Sequence, residues 1–203
     1  MSPVTPKSRL SAAERREQLL DATKELVGER GFHDVSIEAI ARRAGITRPV
    51  IYAHFDDLDA LLEAMLEREA MRALGQLGAI LPGELPEGGD RSAALLGSLR
   101  GYLEAIRSDP VTWRLVLMPP EGAPQVLRDQ IERGREAIIA ALATTVGPGL
   151  SPARPSPDPA LTARLLSALS DEAARLLLTD PETYPLERLM AHAEWLLRQL
   201  VSD

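Results

Sequence analysis

Four polar side chains lie close together near residue 50, and their types suit hydrogen bonding to a nucleic acid. Thr47 and Arg48 are followed by Tyr52 and His54. Hydroxyl, guanidinium, phenol and imidazole groups can donate hydrogen bonds to phosphates or to the edges of bases. The residues between them are short or apolar, so a helix carrying them could approach a major groove closely. The chemistry indicated here is recognition rather than catalysis.

No other set of residues forms a recognisable catalytic or metal-binding pattern. The three histidines are His33, His54 and His192, which are far apart in the sequence. The sequence contains no HExxH pair, no glycine-rich phosphate loop and no Gly-x-Ser-x-Gly turn. It also has no cysteine, which excludes a thiolate metal site and a cysteine nucleophile. We therefore expect neither an enzyme nor a protein that carries a metal or another cofactor.

A helix-turn-helix is the element that would position this polar cluster. Ala41 is small at the point where the two helices would cross, and Gly45 tolerates the positive φ that the turn needs. Ile46, Ile51 and Phe55 would face inward and anchor the second helix. The polar cluster would then remain on the outer face.

The rest of the chain also has helical periodicity, so the predicted fold class is all-α. We predict a disordered arm over 1–10, a three-helix DNA-binding domain over 11–55, and a larger helical domain over 56–203. A Pro/Gly loop over 82–90 and a proline-rich linker over 147–159 interrupt the larger domain. The nine predicted helices cover about 11–30, 36–44, 47–55, 56–80, 91–107, 110–117, 123–146, 160–179 and 185–201.

Charge is unevenly distributed along the chain. The net charge is −7, yet the segment that ends at Phe55 carries nine basic and seven acidic residues. The excess of negative charge therefore lies in the larger domain, as expected for a DNA-binding head on an acidic body. The first thirty residues are polar, and no apolar run approaches the roughly 18 residues of a membrane span. We expect a cytoplasmic protein.

Three short runs resemble the DNA-binding domain of the tetracycline-repressor (TetR) family. They are Ile40-Ala41, Ala44-Gly45-Ile46 and Tyr52-Ala53-His54-Phe55, at the spacing typical of the family. Gly31-Phe32, which precedes Ser36 by four residues, fits the glycine-aromatic turn after the family's first helix. The similarity covers about residues 18–62. It implies a regulator with a helix-turn-helix head and a divergent helical sensor domain.

The resemblance assigns DNA contacts to matching positions. Arg48, Pro49 and Val50 would read bases, with Arg48 pairing with guanine and Val50 touching a thymine methyl. The positions that would contact phosphates are Ser36, Thr47, Tyr52 and His54.

One position departs from the family pattern. Leu58 stands where the family usually has a phosphate-binding lysine at the start of the fourth helix. That contact is expected to be missing, so Arg42, Arg43 or the cations of the N-terminal arm would compensate for it.

The family resemblance also implies a ligand pocket between the middle helices and a homodimer interface formed by the last two. The segments over 160–179 and 185–201 are apolar beyond one narrow stripe, which is typical of a helix that packs on its own domain and on a partner. A purely intramolecular core would also explain them. The candidate ligand-binding residues are Met65, Leu99, Tyr102, Leu103, Ile106, Trp113, Leu117 and Met118.

The predicted function is ligand-responsive transcription regulation. A homodimer would bind a pseudo-palindromic operator, in the role of a repressor, and a small apolar organic effector would release it. Among the charged residues, no pair stands out in the sequence as an anchor for that effector. The alternative is a regulator of the same fold that a protein partner controls. A closed apolar cavity would favour the small molecule, whereas a filled core with an exposed patch would favour the protein.

Overall fold

The computed structural model describes residues 10–81, 90–119, 125–148 and 155–201, and over these ranges it is helical with no strand. The predicted arm up to residue 9, most of the predicted loop over 82–90 and residues 149–154 of the predicted linker lie outside the described residues. The helices are α1 Ala12–Arg30, α2 Ile37–Ala44, α3 Arg48–Tyr52, α4 Leu58–Ile80, α5 Arg91–Ser108, α6 Pro110–Leu117, α7 Gln125–Val146, α8 Pro159–Thr179 and α9 Leu186–Val201. The all-α prediction is confirmed.

Local capping signals explain where the first helices begin and end. The Ser11 hydroxyl accepts a hydrogen bond from the Glu14 N–H, and the Glu14 carboxylate accepts one from the Ser11 N–H at 2.8 Å. That backbone N–H holds the pKa of Glu14 below its ordinary value. α2 begins after Ser36, whose hydroxyl accepts from the Ala39 N–H, and it ends at Gly45 with a φ of 66°. A short 3₁₀ turn over Phe32–Asp34 connects α1 to α2.

The chain divides into two compact units, Met1–Arg68 and Glu69–Asp203. The domain ranges 11–55 and 56–203 stay a prediction, and the division between the two units falls inside α4. The physical reason is that the first part of α4 belongs to the core of the first unit. Leu61 and Met65 are fully buried there. Arg68 forms ion pairs of 2.9 and 2.8 Å with Glu17 and Asp21 of α1.

The second unit has two clusters of buried apolar side chains. The larger one includes Leu103 and Ile106 of α5, Trp113 of α6, and residues of α8 and α9. The smaller one joins α7 to the start of α8. α7 also passes very close to α4, because a Cβ on Gly134 would lie 2.1 Å from a methyl group of Leu74. Over the described residues, no helix is long and apolar enough to cross a membrane.

Candidate nucleic-acid interface and ligand cavity

Contacts from α1 hold the helix-turn-helix in place. The Gln18 side-chain amide donates to the Ala44 carbonyl at 2.9 Å, so it satisfies an acceptor at the end of α2. The Arg16 guanidinium lies over the Phe55 ring, 4.8 Å from its centroid. Phe55 and Ile51 are buried as predicted, whereas Ile46 is only partly buried. α3 is therefore anchored on its inner face by Ile51, and Phe55, which follows the helix, is held beneath Arg16 of α1.

The outer face of α3 presents the predicted contact residues. Thr47, Arg48, Pro49 and Tyr52 are exposed, and the three other predicted positions on or near this helix are half-buried, namely Ser36, Val50 and His54. The Thr47 hydroxyl makes no capping hydrogen bond, although Thr47 occupies the N-cap of α3. Tyr52 is 48% exposed, which is a large apolar surface for an aromatic residue. The face combines hydrogen-bond donors with short side chains.

Arg48 has a partner that the sequence did not indicate. Its guanidinium Nη1 lies 2.9 Å from Oε1 of Glu38 on α2, and both side chains are about half exposed. The two residues are separated by the turn, so the contact depends on the crossing of α2 and α3. A carboxylate in this position restricts the rotamers of the arginine that is predicted to read bases.

Arg42 and Arg43 are neighbours with different surroundings. Arg43 donates to Glu25 at 2.9 Å and also to Glu29, so it ties α2 to α1. These carboxylates, Glu29 first, raise the pKa of Arg43 above its ordinary value. Arg42 is exposed on the same helix. An intramolecular role accounts for Arg43, and phosphate binding stays a prediction that the geometry favours for Arg42 alone.

The start of α4 is acidic. Leu58 is half-buried at its first position, and the neighbouring residues Asp56, Asp57 and Asp59 are exposed. The Asp57 carboxylate caps the helix by accepting from the Ala60 N–H at 2.8 Å. Residues 56–59 therefore contain no cation that could bind a phosphate. The Ala60 N–H at this helix end already donates to Asp57.

A cavity of about 840 Å³ lies within the second unit, which is within the size range of small-molecule sites. Its wall is mostly apolar and is built by the second part of α4 and by helices α5 to α9. Leu169 and Trp195, each about half exposed, also line it. The cavity therefore reaches the surface beside α8 and α9.

Four of the eight candidate ligand-binding residues line this cavity: Leu99, Tyr102, Trp113 and Leu117. The other four lie elsewhere. Leu103 and Ile106 are fully buried in the larger core cluster, and Met118 packs against that cluster. Met65 is fully buried in the first unit. These four have structural surroundings that explain their apolar character, and ligand contact by the first four stays a prediction.

Polar groups on the cavity wall form a connected network. The Tyr102 hydroxyl donates to Oδ1 of Asp171 at 3.1 Å, and Arg135 Nη1 donates to Oδ2 of the same carboxylate. Burial, and then the nearby Asp171 carboxylate, raise the pKa of Tyr102 well above its usual range. No charged pair was evident here from the sequence, because Arg135 and Asp171 come from different helices, α7 and α8.

One face of α8 is apolar and exposed. Leu161, Leu165 and Leu169 recur every fourth residue and are 53%, 56% and 56% exposed. The opposite face of the same helix is buried, with Ala174 and Leu177 in the larger core cluster. α8 thus has two apolar faces, one buried in its own unit and one exposed, in agreement with the sequence prediction.

Comparison with known proteins agrees with these features. The family model described as "Bacterial regulatory proteins, tetR family" matches residues 19–65. The transcriptional activator FasR of Mycolicibacterium smegmatis is 31% identical over 124 residues, which cover 59% of this chain and 55% of FasR. The regulator BetI of Escherichia coli is 37% identical over 117 residues, covering 50% of this chain and 60% of BetI.

The chain thus spans little more than half the length of these curated relatives. Among solved structures, a TetR-like transcriptional regulator from Rhodococcus sp. RHA1 superposes with a TM-score of 0.72. It is 23% identical and covers 96% of this chain and 100% of the other, which shows a shared fold over the whole length. Residues 19–65 of this chain are thus similar to the TetR family.

The resemblance of the head to the TetR family accounts for the residues that were placed correctly from the sequence. Its head motif fixes the positions of Gly45, Tyr52 and Phe55, and the structure places each at the turn, the exposed face and the core respectively. Both named relatives are transcription regulators, in agreement with the expectation that this chain is not an enzyme. The Glu38–Arg48 pair and the Asp171 network were missed, because each joins residues on separate helices.

Proposed function

We propose that this protein is a TetR-family transcription regulator that binds operator DNA through α3. The exposed face of α3 is the observation that carries the proposal. Arg48 and Pro49 are exposed on that face and Val50 is half-buried, and we propose that they reach base edges, with Thr47 and Tyr52 as flanking donors. Because DNA is the partner, the protein would act in the bacterial cytoplasm.

The active form would be a homodimer. The exposed Leu161, Leu165 and Leu169 stripe on α8 supports this proposal, because a row of half-exposed leucines is stabilised when a second copy covers it. Trp195 of α9 is also about half exposed and stacks on His192, with ring centroids 5.3 Å apart. Two copies related by a twofold axis would present two α3 helices to the halves of a pseudo-palindromic operator.

A small, largely apolar molecule would control the regulator. The cavity of about 840 Å³ opens to the surface beside α8 and α9, but it shows that the core of the second unit is not filled, which supports a small-molecule effector over the alternative of a controlling protein partner. Leu74, Leu77 and Ile80 of α4 line it, so a ligand would contact the same helix whose first part lies in the DNA-binding unit. We propose repression that the effector releases, although one relative, FasR, is named an activator.

A selection experiment tests DNA binding when the operator sequence is unknown. The full chain would be used to select duplexes from a random pool, and binding of the selected duplex would be measured by fluorescence anisotropy. We expect a sequence with twofold symmetry and a stoichiometry of two chains per duplex. Arg48→Ala should lose the preference for that duplex while its circular dichroism spectrum is unchanged. Failure to enrich any sequence would refute the proposal.

The sign of regulation requires a separate measurement. A reporter gene downstream of the selected duplex should be less active when the protein is present, if the protein represses. Higher reporter activity would instead show activation and would leave the DNA-binding assignment intact.

A further inference from the structure

Arg188 of α9 lines the cavity and has no carboxylate partner among the residues that the structure describes. Its Nη1 atom donates to the Thr183 carbonyl at 2.6 Å. Its guanidinium lies over the Tyr184 ring, 5.1 Å from the ring centroid. A guanidinium has five N–H donors in one plane, so these two contacts orient the group and leave further donors available. The available donors can bind a ligand in the cavity.

The other charged side chains on the described cavity wall are paired within the protein. The Asp171 carboxylate accepts a hydrogen bond from Arg135, the second arginine of the wall. The second acid of the wall, Glu172, lies 3.5 Å from Nη1 of Arg175 on the same helix. The chain as a whole carries a net charge of −7, yet the charge that stays unpaired on this part of the wall is the positive charge of Arg188.

Arg188 lies where the cavity wall meets the surface of the protein. Its side chain is exposed, as are His192 and Trp195, which also line the cavity and lie on the same face of α9 at helical spacing. The rest of the wall is mainly apolar and includes leucines of α4 and α5. An anionic group beside Arg188 could therefore keep part of its hydration while an apolar chain is buried in the cavity, which limits the cost of desolvating the charge.

We propose that the cavity binds an amphipathic molecule whose apolar part fills the interior and whose single anionic group, such as a carboxylate, pairs with Arg188. This inference rests on the proposed effector function and names the chemical class of the effector. A carboxylate can accept two parallel hydrogen bonds from a guanidinium, so the pair orients the ligand as well as holding it. A neutral molecule with the same apolar chain fills the same space but gains nothing from the arginine charge.

Three probes separate the charge interaction from burial of apolar surface. Decanoate, 1-decanol and decylammonium have the same alkyl chain and end in a negative, a neutral and a positive group. Their dissociation constants would be measured by isothermal titration calorimetry, below the concentrations at which they form micelles, with the full chain and with Arg188→Gln. Arg198→Gln is the matched control, because Arg198 is an exposed arginine of the same helix that lies off the cavity wall.

The decisive quantity is the affinity ratio of decanoate to decanol in each protein, because the two ligands lose different amounts of hydration on binding. We expect this ratio to fall about tenfold in Arg188→Gln, since a hydrogen bond between charged groups is removed. Decanol affinity should change by less than about threefold, and Arg198→Gln should keep the wild-type ratio. The same ratio in wild type and in Arg188→Gln would overturn the inference, and so would an equal fall in Arg198→Gln.

The wild-type protein alone gives a second test, which holds even if Arg188→Gln does not fold. Decanoate should bind more tightly than decylammonium, and the reverse order would overturn the inference. Binding of decanol with a decanoate ratio that does not depend on Arg188 would refute this inference and leave the proposed effector function intact. Binding of none of the three probes would count against both.

Discussion

Replacing Glu38 with glutamine tests whether the ion pair on the outer face orients Arg48, the arginine that we propose reads bases. The Arg48–Glu38 pair measures 2.9 Å, and its side chains are 56% and 50% exposed. Ion pairs this exposed contribute about 0–1 kcal/mol to stability, so Glu38→Gln should leave the Tm almost unchanged. Its effect on DNA binding should be larger, because DNA brings many negative charges close to the carboxylate.

Two opposing effects on DNA affinity can be estimated. A carboxylate about 7 Å from one phosphate in a water-like dielectric is repelled by about 0.6 kcal/mol, so removing it should raise affinity for any duplex about threefold. In a dimer the gain in free energy doubles, and the factor becomes about eightfold. Freeing Arg48 should at the same time weaken discrimination, since a good bidentate contact to guanine contributes about 1–3 kcal/mol. We expect non-specific affinity to rise more than operator affinity.

Fluorescence anisotropy with the selected duplex and with a scrambled duplex of the same length, at several salt concentrations, measures both affinities. Glu25→Gln is the matched control, because it removes an exposed carboxylate of α1 that forms an ion pair with Arg43 of α2. The ratio of operator to scrambled affinity should fall in Glu38→Gln and stay constant in Glu25→Gln. A ratio that is unchanged or increased in Glu38→Gln would show that Glu38 does not orient Arg48.

Three further substitutions give distinct expected results. Arg42→Ala should weaken binding to all duplexes and reduce its salt dependence while leaving the Tm unchanged. Arg43→Ala should instead lower the Tm by about 2–4 °C, because it removes both contacts to α1. Equal effects of the two substitutions on DNA affinity would contradict the assignment of DNA binding to Arg42 and of a structural role to Arg43. Gly45→Ala should destabilise the protein by about 1 kcal/mol in a thermal melt, because alanine is strained at a φ of 66°. The added Cβ would meet no atom within 4 Å, so this backbone strain is the whole expected effect. An unchanged Tm would argue against strain at the turn. Leu165→Glu should give a monomer in light scattering that binds the selected duplex weakly, and a dimer of unchanged stability would place the interface elsewhere.

Helix boundaries could be predicted because their determinants are local. The Ser11–Glu14 capping box, the Ser36 cap and Gly45 each act within four residues of the chain, and each does in the structure what its residue type favours. α8 begins at Pro159, one residue before the predicted start, because the Asp158 side chain caps it, and α9 begins at Leu186, one residue after its predicted start. The predicted start of α7 at 123 lies outside the described residues.

The ligand site was harder to predict, because apolar periodicity identifies the buried face of a helix but not the space it faces. Met65 and Leu103 have the same pattern as Leu99, yet they fill two different cores while Leu99 lines the cavity. The Tyr102–Asp171 hydrogen bond joins residues that are 69 positions apart. Pairings of this kind depend on how α5, α7 and α8 pack, and no short motif records that packing.

The apolar cavity restricts how an effector could act. A ligand shifts an equilibrium between two conformations only by its difference in affinity for them, and about 5.5 kcal/mol is needed to convert a 1:99 ratio into 99:1. A ligand that fills a cavity of the same shape in both conformations binds them with equal affinity and therefore shifts nothing. The cavity wall must therefore change shape between the two conformations. Leu74 of α4 lines the cavity and lies against Gly134 of α7, so a shift between these helices would move it. A difference in ligand affinity is thus expected where α4 meets α7.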